Sequence, residues 1–403
     1  MVFLNLSAFI KRITGRSESL LAPDLEAYHD ELSSRIDGAS VLVIGGAGTI
    51  GSNFIKALLA YKPAKLYVAD TNENGLTELV RDLRSNPDLN IPEDFKTYPL
   101  DFSGPVFEKI YRAEGPFDMV ANFAAHKHVR SEKDHYSVEA MVRNNVLNAV
   151  GLLELMAEQP PGRFFCVSTD KAANPVNVMG ASKKLMEDVV LNYADRLHVS
   201  TARFANVAFS NGSLPAGFIE RLHKQQPLAA PRDIRRYFVS PEESGQLCML
   251  ACVLGNNGDI FYPRLDADKD MVSFTRIAED LLAEYGLRPD YCSDEKEAIQ
   301  KAKNLDPEAK TYPVLFFPSN TTGEKPFEEF YTSLETRDEE RFTSLGVITE
   351  SACAAPDAAA LKSDLEKLFQ RNDYSKKDVV QLLGKYVPGF AHEEKDRHLD
   401  QSI

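Results

Sequence analysis

The sequence lacks three features that would each define a class of protein. It contains no run of about 18 apolar residues, the length a membrane-spanning helix requires, so no span is predicted. Its 46 basic and 60 acidic residues give a net charge of −14, which argues against a nucleic-acid partner. Its five cysteines are scattered and odd in number, a pattern typical of reduced thiols in the cytoplasm, and none has partners at zinc-like spacing, so no metal site is predicted.

A glycine-rich segment follows the first long apolar run. The residues VLVIGGAGTIGSNFIKALL, from Val41, predict a strand that leads through Gly45, Gly48 and Gly51 into a helix beginning near Ile50. Glycines allow the backbone to approach a pyrophosphate, which binds at a helix N-terminus. Because a strand and a helix flank it, the motif predicts a dinucleotide site.

Further candidates follow at the ends of the next predicted strands. Asp70 is placed to accept hydrogen bonds from the adenosine ribose and would repel a 2′-phosphate, which favours NAD over NADP; the alternative is a solvated carboxylate. Asp101 and Phe102 are candidates for contacts with the adenine. Ala124 and Ala125 are small enough for the nicotinamide ribose to pass close to the backbone.

Basic residues provide candidates for substrate binding. Lys127 and His128 follow the fourth strand and either reach the substrate or cap the next turn. Arg232, Arg235 and Arg236 lie close together in an acidic chain, which predicts a diphosphate clamp; the alternative is a solvated basic loop.

The segment FFCVSTDKAANPVNVMGASKKLME, residues 164–187, holds the candidate catalytic groups. A buried strand is predicted to end at Thr169, Asp170 and Lys171, and the following helix carries Met179 and Lys183 on one face. A hydride-transfer site of this layout is expected to have a tyrosine at Met179, because a thioether cannot move a proton.

Strands and helices alternate in the first half of the chain, which predicts an α/β fold with a Rossmann-type doubly wound parallel sheet. We expect a helical N-terminal extension at 1–37, a dinucleotide-binding domain at 38–210, and a smaller α/β substrate domain at 211–334 with segments that return to the sheet. A mostly helical C-terminal extension with a disordered tail is expected at 335–403. The amphipathic residues 1–13 fit a docked helix or a peripheral membrane contact.

Together these motifs resemble the extended short-chain dehydrogenase/reductase superfamily, and in particular its CapD-type polysaccharide-biosynthesis branch. The resemblance covers about residues 38–332 and is carried by VSTDKAANPVNVMGASKKLME, RFANVAFSNGS, RRYFVSPEE and TGEKPFEE. Within that branch, methionine in place of the usual tyrosine marks the configuration-retaining UDP-N-acetylglucosamine 4,6-dehydratases, and Met179 stands at that position. Arg130 stands where the branch usually has proline, which leaves substrate detail open.

The motifs and the resemblance together imply roles for three groups of residues. Catalytic roles are implied for Thr169, Asp170, Lys171, Met179 and Lys183. Cofactor contacts are implied for Gly45, Gly48, Thr49, Ile50, Gly51, Asp70, Asp101, Phe102, Ala124, Ala125 and Lys183. Substrate contacts are implied for Lys127, His128, Asn206, Ser213, Arg235, Arg236 and Glu324.

The implied reaction oxidises the sugar at C4 with a tightly held NAD, eliminates water across C5 and C6, and returns the hydride to C6. We assign the C4 proton to Asp170, with Thr169 as a relay, the C5 proton to Lys171, and the nicotinamide ribose to Lys183. Two alternatives are a UDP-sugar 4-epimerase, which would normally need the tyrosine, and a non-catalytic NAD-binding sensor or scaffold. The resemblance also implies a homodimer that pairs through helices near 132–158 and 179–197.

Overall fold

A nine-stranded sheet lies at the centre of the computed structural model, which describes residues 4–128, 132–306, 308–319, 327, 329–351, 357–390 and 392. The strands are β1 (Ser40–Ile44), β2 (Lys65–Asp70), β3 (Asp94–Pro99), β4 (Met119–Asn122), β5 (Arg163–Val167), β6 (Val199–Ala202), β7 (Asn206–Val207), β8 (Leu228–Pro231), β9 (Arg235–Val239), β10 (Asp259–Pro263), β11 (Met271–Ser273), β12 (Arg288–Tyr291), β13 (Thr311–Phe317), β14 (Thr336–Asp338) and β15 (Leu345–Glu350). The large sheet has the order β14-β15-β10-β6-β5-β4-β1-β2-β3.

The strands from β3 to β10 in this order are parallel, and β15 and β14 add an antiparallel edge. β1 shows why the sheet is buried on both faces. Its residues Val41 and Val43 pack into one core and Leu42 and Ile44 into the other, as the alternation of a strand requires. The predicted Rossmann-type doubly wound sheet is confirmed. The carboxyl ends of the neighbouring strands β1, β4 and β5 therefore meet at one edge, where such sheets bind ligands.

Helices cover both faces of the sheet. They are α1 (Leu6–Thr14), α2 (Ala22–Ala27), α3 (His29–Ile36), α4 (Thr49–Leu58), α5 (Glu73–Arg84), α6 (Pro105–Glu114), α7 (His135–Val142), α8 (Asn148–Glu158), α9 (Val178–Asn192), α10 (Leu214–His223), α11 (Pro241–Leu254), α12 (Ala267–Asp270), α13 (Phe274–Glu284), α14 (Glu295–Lys303), α15 (Ala358–Phe369) and α16 (Lys376–Tyr386). On one face α4 and α11 pack so closely that a Cβ on Gly245 would lie 2.2 Å from the Asn53 backbone. The other face carries α6 to α9.

A π-helical turn interrupts the long helix predicted over residues 132–158. This turn, Arg143–Leu147, joins α7 to α8 and contains the buried Asn145. The Asn145 amide accepts from His126 N at 2.8 Å and donates to His126 O at 2.9 Å and to Ser182 Oγ at 3.0 Å. One side chain thus ties the residues that follow β4 to α9. π-Helical turns often occur at functional sites.

A smaller core lies beside the main sheet and is built from the three-stranded sheets β11-β9-β7 and β12-β13-β8 together with α10 and α13. The amphipathic helix α1 packs on this core through Phe9, Ile10 and Ile13, while Lys11 and Arg12 stay exposed. Residues 1–13 were predicted to form either a docked helix or a membrane contact, and the described part of α1 is docked.

The C-terminal hairpin, α15 and α16, covers α7, α8 and α9. Leu365 and Leu383 are fully buried in the core that these helices share, and Lys362 Nζ donates to Glu154 Oε2 at 2.7 Å. The face on which a homodimer was predicted is therefore occupied by the chain's own hairpin, and the homodimer stays a prediction. Within the described ranges, no helix has both the length and the apolar character needed to cross a bilayer.

Candidate active site

Glycines shape the turn between β1 and α4. Gly45 has a φ of 77°, in the left-handed region that disfavours side chains, and a Cβ there would lie 2.6 Å from Ala124 N. A Cβ on Gly51 would lie 2.4 Å from the Gly45 carbonyl oxygen. The turn, the first residues of α4 and the end of β4 therefore approach one another as closely as glycine permits.

A cleft of about 280 Å³ opens beside this turn at the carboxyl ends of β1, β2 and β4. Its lining includes every residue predicted to bind the cofactor except Lys183, namely Gly45, Gly48, Thr49, Ile50, Gly51, Asp70, Asp101, Phe102, Ala124 and Ala125. Lys127 and Asn144 also line it. A glycine turn at a helix N-terminus, with a carboxylate at the end of the next strand, fits a nicotinamide dinucleotide.

Two carboxylates are fixed at the edge of the cleft. Asp70 accepts from Ala47 N through Oδ2 and from Asn72 N through Oδ1, both at 2.9 Å. Asp101 Oδ1 accepts from Ser103 N and Ser103 Oγ, both at 2.8 Å. An ionised carboxylate has about four lone-pair sites, so each can still accept bonds from ligand hydroxyl or amino groups.

Thr169, Asp170 and Lys171 come together where β5 ends. Asp170 Oδ1 accepts from Thr169 Oγ1 at 2.8 Å, from the Lys171 backbone N at 2.9 Å and from Lys171 Nζ at 3.0 Å. Asp170 is only 3% exposed, and its own backbone N–H donates to Phe204 O at 3.1 Å. A hydroxyl, a carboxylate and an amine thus form one cluster through which protons can pass.

The start of α9 packs directly against this cluster. A Cβ on Gly180 would lie 2.7 Å from the Lys171 carbonyl oxygen. Met179, the residue before Gly180, is buried. Lys183 Nζ donates to Val167 O at 2.6 Å, and burial lowers the pKa of its ammonium group. Because Lys183 is directed at the end of β5 and is not part of the cleft lining, its contact with the cofactor stays a prediction.

His128 packs on the loop that follows β7. A Cβ on Gly212, whose φ is 74°, would lie 3.0 Å from two atoms of the His128 ring. In the same loop, Asn211 N donates to Thr49 Oγ1 at 3.0 Å, which joins the loop to the first turn of α4. The loop therefore connects a predicted substrate residue to the dinucleotide turn. Sequence reasoning did not single out Gly212, although a glycine beside an asparagine signals a turn.

The other predicted substrate residues are more scattered. Asn206 lies in β7 and Ser213 is the N-cap of α10. Arg235 and Arg236 are consecutive in β9, so their side chains point to opposite faces; Arg235 is exposed and Arg236 is 5% exposed. The diphosphate clamp predicted from Arg232, Arg235 and Arg236 therefore stays a prediction, and strand alternation separates the last two side chains. Glu324 lies outside the described residues.

Sequence reasoning missed a buried ion network behind the cluster of Thr169, Asp170 and Lys171. Ser168 Oγ donates to Glu187 Oε2 at 2.8 Å, and Arg203 donates to Glu187 through Nε at 3.0 Å and Nη2 at 2.6 Å. Arg203, which is fully buried, also donates to Glu335 Oε1 at 2.7 Å. The one available signal is that Glu187 and Arg203 are charged residues close to apolar stretches of the sequence.

Comparison with known proteins agrees with this geometry. The family described as polysaccharide biosynthesis protein matches residues 41–348. An uncharacterized membrane protein of Methanocaldococcus jannaschii is 33% identical over 268 residues, 64% of this chain and 77% of that protein. The capsular polysaccharide biosynthesis protein CapD of Staphylococcus aureus is 27% identical over 321 residues, 78% of this chain, which spans only 51% of CapD. A UDP-N-acetylglucosamine 4,6-dehydratase (inverting) of Campylobacter jejuni is 24% identical over 367 residues, 88% of this chain and 99% of that enzyme.

Solved structures share the fold. Pen from Bacillus thuringiensis superposes with a TM-score of 0.63 at 19% identity, covering 87% of this chain and 98% of Pen. DesIV, a dTDP-glucose 4,6-dehydratase from Streptomyces venezuelae with NAD and TYD bound, gives a TM-score of 0.54 at 18% identity, covering 82% of this chain and 97% of DesIV.

The family match covers both the glycine turn at Gly45 and the cluster around Asp170. The sheet order is that of a Rossmann-type fold. The predicted resemblance to the CapD-type branch of the extended short-chain dehydrogenases/reductases, enzymes of the dehydratase and epimerase kind, is therefore confirmed. The chain belongs to the polysaccharide biosynthesis protein family.

Proposed function

We propose that the protein is an NAD-dependent nucleotide-sugar 4,6-dehydratase. The proposed substrate is UDP-N-acetylglucosamine, and the product is a UDP-4-keto-6-deoxy-N-acetylhexosamine with retained configuration at C5. The observation that carries the proposal is a buried Met179 in the first turn of α9, where the next residue, Gly180, packs against the Lys171 carbonyl oxygen of the hydrogen-bonded cluster of Thr169, Asp170 and Lys171. Because a thioether has no proton to transfer, the acid–base chemistry is assigned to that cluster.

Asp170 is assigned two transfers of the same proton. It receives the proton of the sugar C4 hydroxyl, either directly or through Thr169 Oγ1, which lies 2.8 Å from Asp170 Oδ1. It then gives this proton to the C6 oxygen, which leaves C6 as water. The carboxylate is thus regenerated within each turnover, and no outside acid is needed.

Lys171 is assigned the C5 proton. In its neutral form the amine removes this proton once C4 is a ketone, and returns it to the same face of C5, which gives retention. A bound NAD would supply the hydride acceptor for C4 and the hydride donor for C6. Lys171 Nζ lies 3.0 Å from Asp170 Oδ1, so the acid and the base are held as a pair.

NAD is proposed in preference to NADP because of the charge at the end of β2. Asp70 lines the cleft there, and a carboxylate would repel a 2′-phosphate. The following residues, TNENG, contain no lysine or arginine to compensate. Gly45 and Gly51 would admit the pyrophosphate, and Ala124 and Ala125 the nicotinamide ribose.

A relative supports the choice of sugar, and one residue supports the configuration at C5. The Campylobacter jejuni relative carries the inverting 4,6-dehydratase activity on UDP-N-acetylglucosamine by name, and it aligns over 88% of this chain. The methionine at position 179 distinguishes this chain from tyrosine-using members and supports retention at C5.

Incubation with UDP-N-acetylglucosamine and NAD tests the proposal through the mass of the product. We expect the nucleotide sugar to lose one water, and a 6-methyl signal to appear in its proton NMR spectrum. An isobaric product would instead support the 4-epimerase. An unchanged substrate across several UDP- and dTDP-sugars would support the non-catalytic NAD-binding sensor.

Gly212→Ala is expected to raise the KM for the nucleotide sugar about tenfold. Its φ of 74° costs an L-residue about 1–2 kcal/mol, and the new Cβ would lie 3.0 Å from the His128 ring, which must move. Steady-state kinetics measure the rise in KM, and urea denaturation measures the loss of stability that the positive φ causes. Gly217→Ala in α10, where a Cβ meets nothing within 4 Å, is the matched control. An unaltered KM would show that His128 has no part in substrate binding.

A further inference from the structure

Glu132 is a buried carboxyl group that the assigned reaction steps do not use. It lies in the segment between His128 and α7, and it is 5% exposed. Its Oε1 accepts from Met179 N at 2.9 Å, while Oε2 has no hydrogen-bond partner within the described ranges. Burial raises the pKa of Glu132, and the backbone amides of Met179 and Val178 lower it, with burial the larger effect.

The bond to Met179 N matters because of where this amide lies in α9. The first amides of a helix have no acceptor within the helix. Asn177 caps α9 by accepting from Gly180 N at 2.7 Å, which leaves the Met179 amide to Glu132. A carboxylate at a helix N-terminus is also favoured by the helix dipole. Glu132 therefore fixes the turn of α9 that packs on the catalytic cluster.

The C-terminal hairpin holds Glu132 from the other side. Lys376 Nζ, in the first turn of α16, donates to the backbone oxygen of Glu132 at 2.9 Å. Two residues before it in the hairpin, Tyr374 is bonded to Glu139 in α7. The backbone of Glu132 is thus tied to α16, and its side chain is tied to α9.

We propose that Glu132 is a positioning residue for the reaction. It holds Met179, and with it the packing of α9 against the Asp170 cluster, in place, and the C-terminal hairpin fixes Glu132 through Lys376. The part that concerns catalysis rests on the proposed function; the part that concerns the start of α9 does not. The sequence suggested no role for the C-terminal extension. Under this proposal it stabilises the start of α9, which forms one side of the active site.

The test compares Glu132→Ala, which removes the acceptor, with Glu132→Gln, which keeps an acceptor oxygen and removes the charge. Lys376→Met provides a milder change, because it removes only the bond from α16 to the Glu132 backbone oxygen. Asp294→Ala is the matched control, because Asp294 caps α14 by accepting from Glu297 N and has no place in the active site. All variants are made in the full chain, and circular dichroism and thermal melts establish that each is folded.

The first measurement is hydrogen exchange at the start of α9, followed by mass spectrometry of peptides that span 177–183. We expect Glu132→Ala to accelerate exchange of the Met179 amide about tenfold, Lys376→Met to accelerate it about threefold, and Glu132→Gln and Asp294→Ala to leave it within about twofold. Unchanged exchange in Glu132→Ala would overturn the structural part of the proposal.

The second measurement is steady-state turnover of UDP-N-acetylglucosamine. Glu132→Ala should lower kcat about 100-fold with KM within about threefold, because misplacement by about an ångström costs that much, and Glu132→Gln should restore kcat to within about fivefold of wild type. Equal loss in both variants would overturn positioning and indicate proton transfer by Glu132 itself. If the wild-type enzyme leaves this sugar unchanged, the proposed function fails, whereas amide exchange still decides the role of Glu132 in α9.

Discussion

Asp170→Asn is expected to lower the rate of water elimination from UDP-N-acetylglucosamine about 10³-fold or more. General acid–base catalysis contributes about 10²–10⁴-fold to a rate, and Asp170 is assigned both the acceptance of the C4 proton and its delivery to the C6 oxygen. Asparagine keeps the size of the side chain and can still accept from Thr169 Oγ1, but it can neither take nor give the proton.

Lys171→Ala provides the companion measurement, because it separates the two proton transfers. Without the amine, the C5 proton has no base, so elimination should stop while C4 is still oxidised. We expect absorbance near 340 nm to build up in Lys171→Ala and to remain low in Asp170→Asn. In heavy water, product from the wild-type enzyme should carry deuterium at C5 to the extent that Lys171 exchanges its proton with solvent.

Asp373→Asn is the control for the change from a carboxylate to an amide, since the Asp373 side chain is 81% exposed at the surface. Its turnover should match that of the wild-type enzyme. Near-normal turnover of Asp170→Asn would refute the assignment of Asp170 as the acid and base. Loss of the folded state in this variant is not expected, because the Asp170 backbone bond to Phe204 O is unaffected.

The cleft beside the glycine turn could be predicted from the sequence because its signals are contiguous along the chain. Gly45 and Gly51 lie within one strand–turn–helix unit, Asp70 is the last residue of β2, and Asp101 lies two residues after the end of β3. In a parallel sheet such strand ends meet at one edge, so the order of the residues along the chain is enough to bring them together. The alternation of strands and helices in the same way predicted the fold.

The contacts that hold α9 and the strand ends beside it could not be predicted in this way. Glu132 and Met179 are 47 residues apart, and Arg203 and Glu335 are 132 apart. The sequence shows a charged residue in an apolar segment, but tertiary packing alone determines which charge will face it. Similarly, α15 and α16 were predicted as helices, but their amphipathic pattern does not indicate which surface they cover.

Glu187→Gln is expected to lower the free energy of unfolding by about 3–5 kcal/mol at pH 7, the largest effect on stability among the changes considered. Breaking a buried ion pair from one side leaves the other charge desolvated and uncompensated. Glu187 and Arg203 are both fully buried and are joined by two hydrogen bonds. Because Glu335 still accepts from Arg203, the loss should lie toward the lower end of this range.

The same change should alter the dependence of stability on pH. Burial raises the pKa of Glu187, but the charges of Arg203 and Lys184 outweigh it and bring the pKa down to about 2 from 4.5. A lowered pKa means that the ionised form stabilises the fold above pH 4.5 and that this contribution is lost as the pH falls from 4.5 toward 2. The difference between wild type and Glu187→Gln should therefore be constant near neutral pH and shrink below pH 4.5.

Urea denaturation between pH 7 and pH 3.5 measures this difference, with Glu158→Gln as the control. Glu158 pairs with Arg112 at 2.6 Å, but the two side chains are 59% and 46% exposed, so this variant should lose less than about 1 kcal/mol. Ser168 Oγ also donates to Glu187, and Thr169, Asp170 and Lys171 follow Ser168 directly. The variant should therefore also lower kcat, because it loosens the position of these three residues. A loss for Glu187→Gln no greater than that of Glu158→Gln would show that Glu335 alone compensates Arg203. The network would then hold Ser168 in place without stabilising the fold.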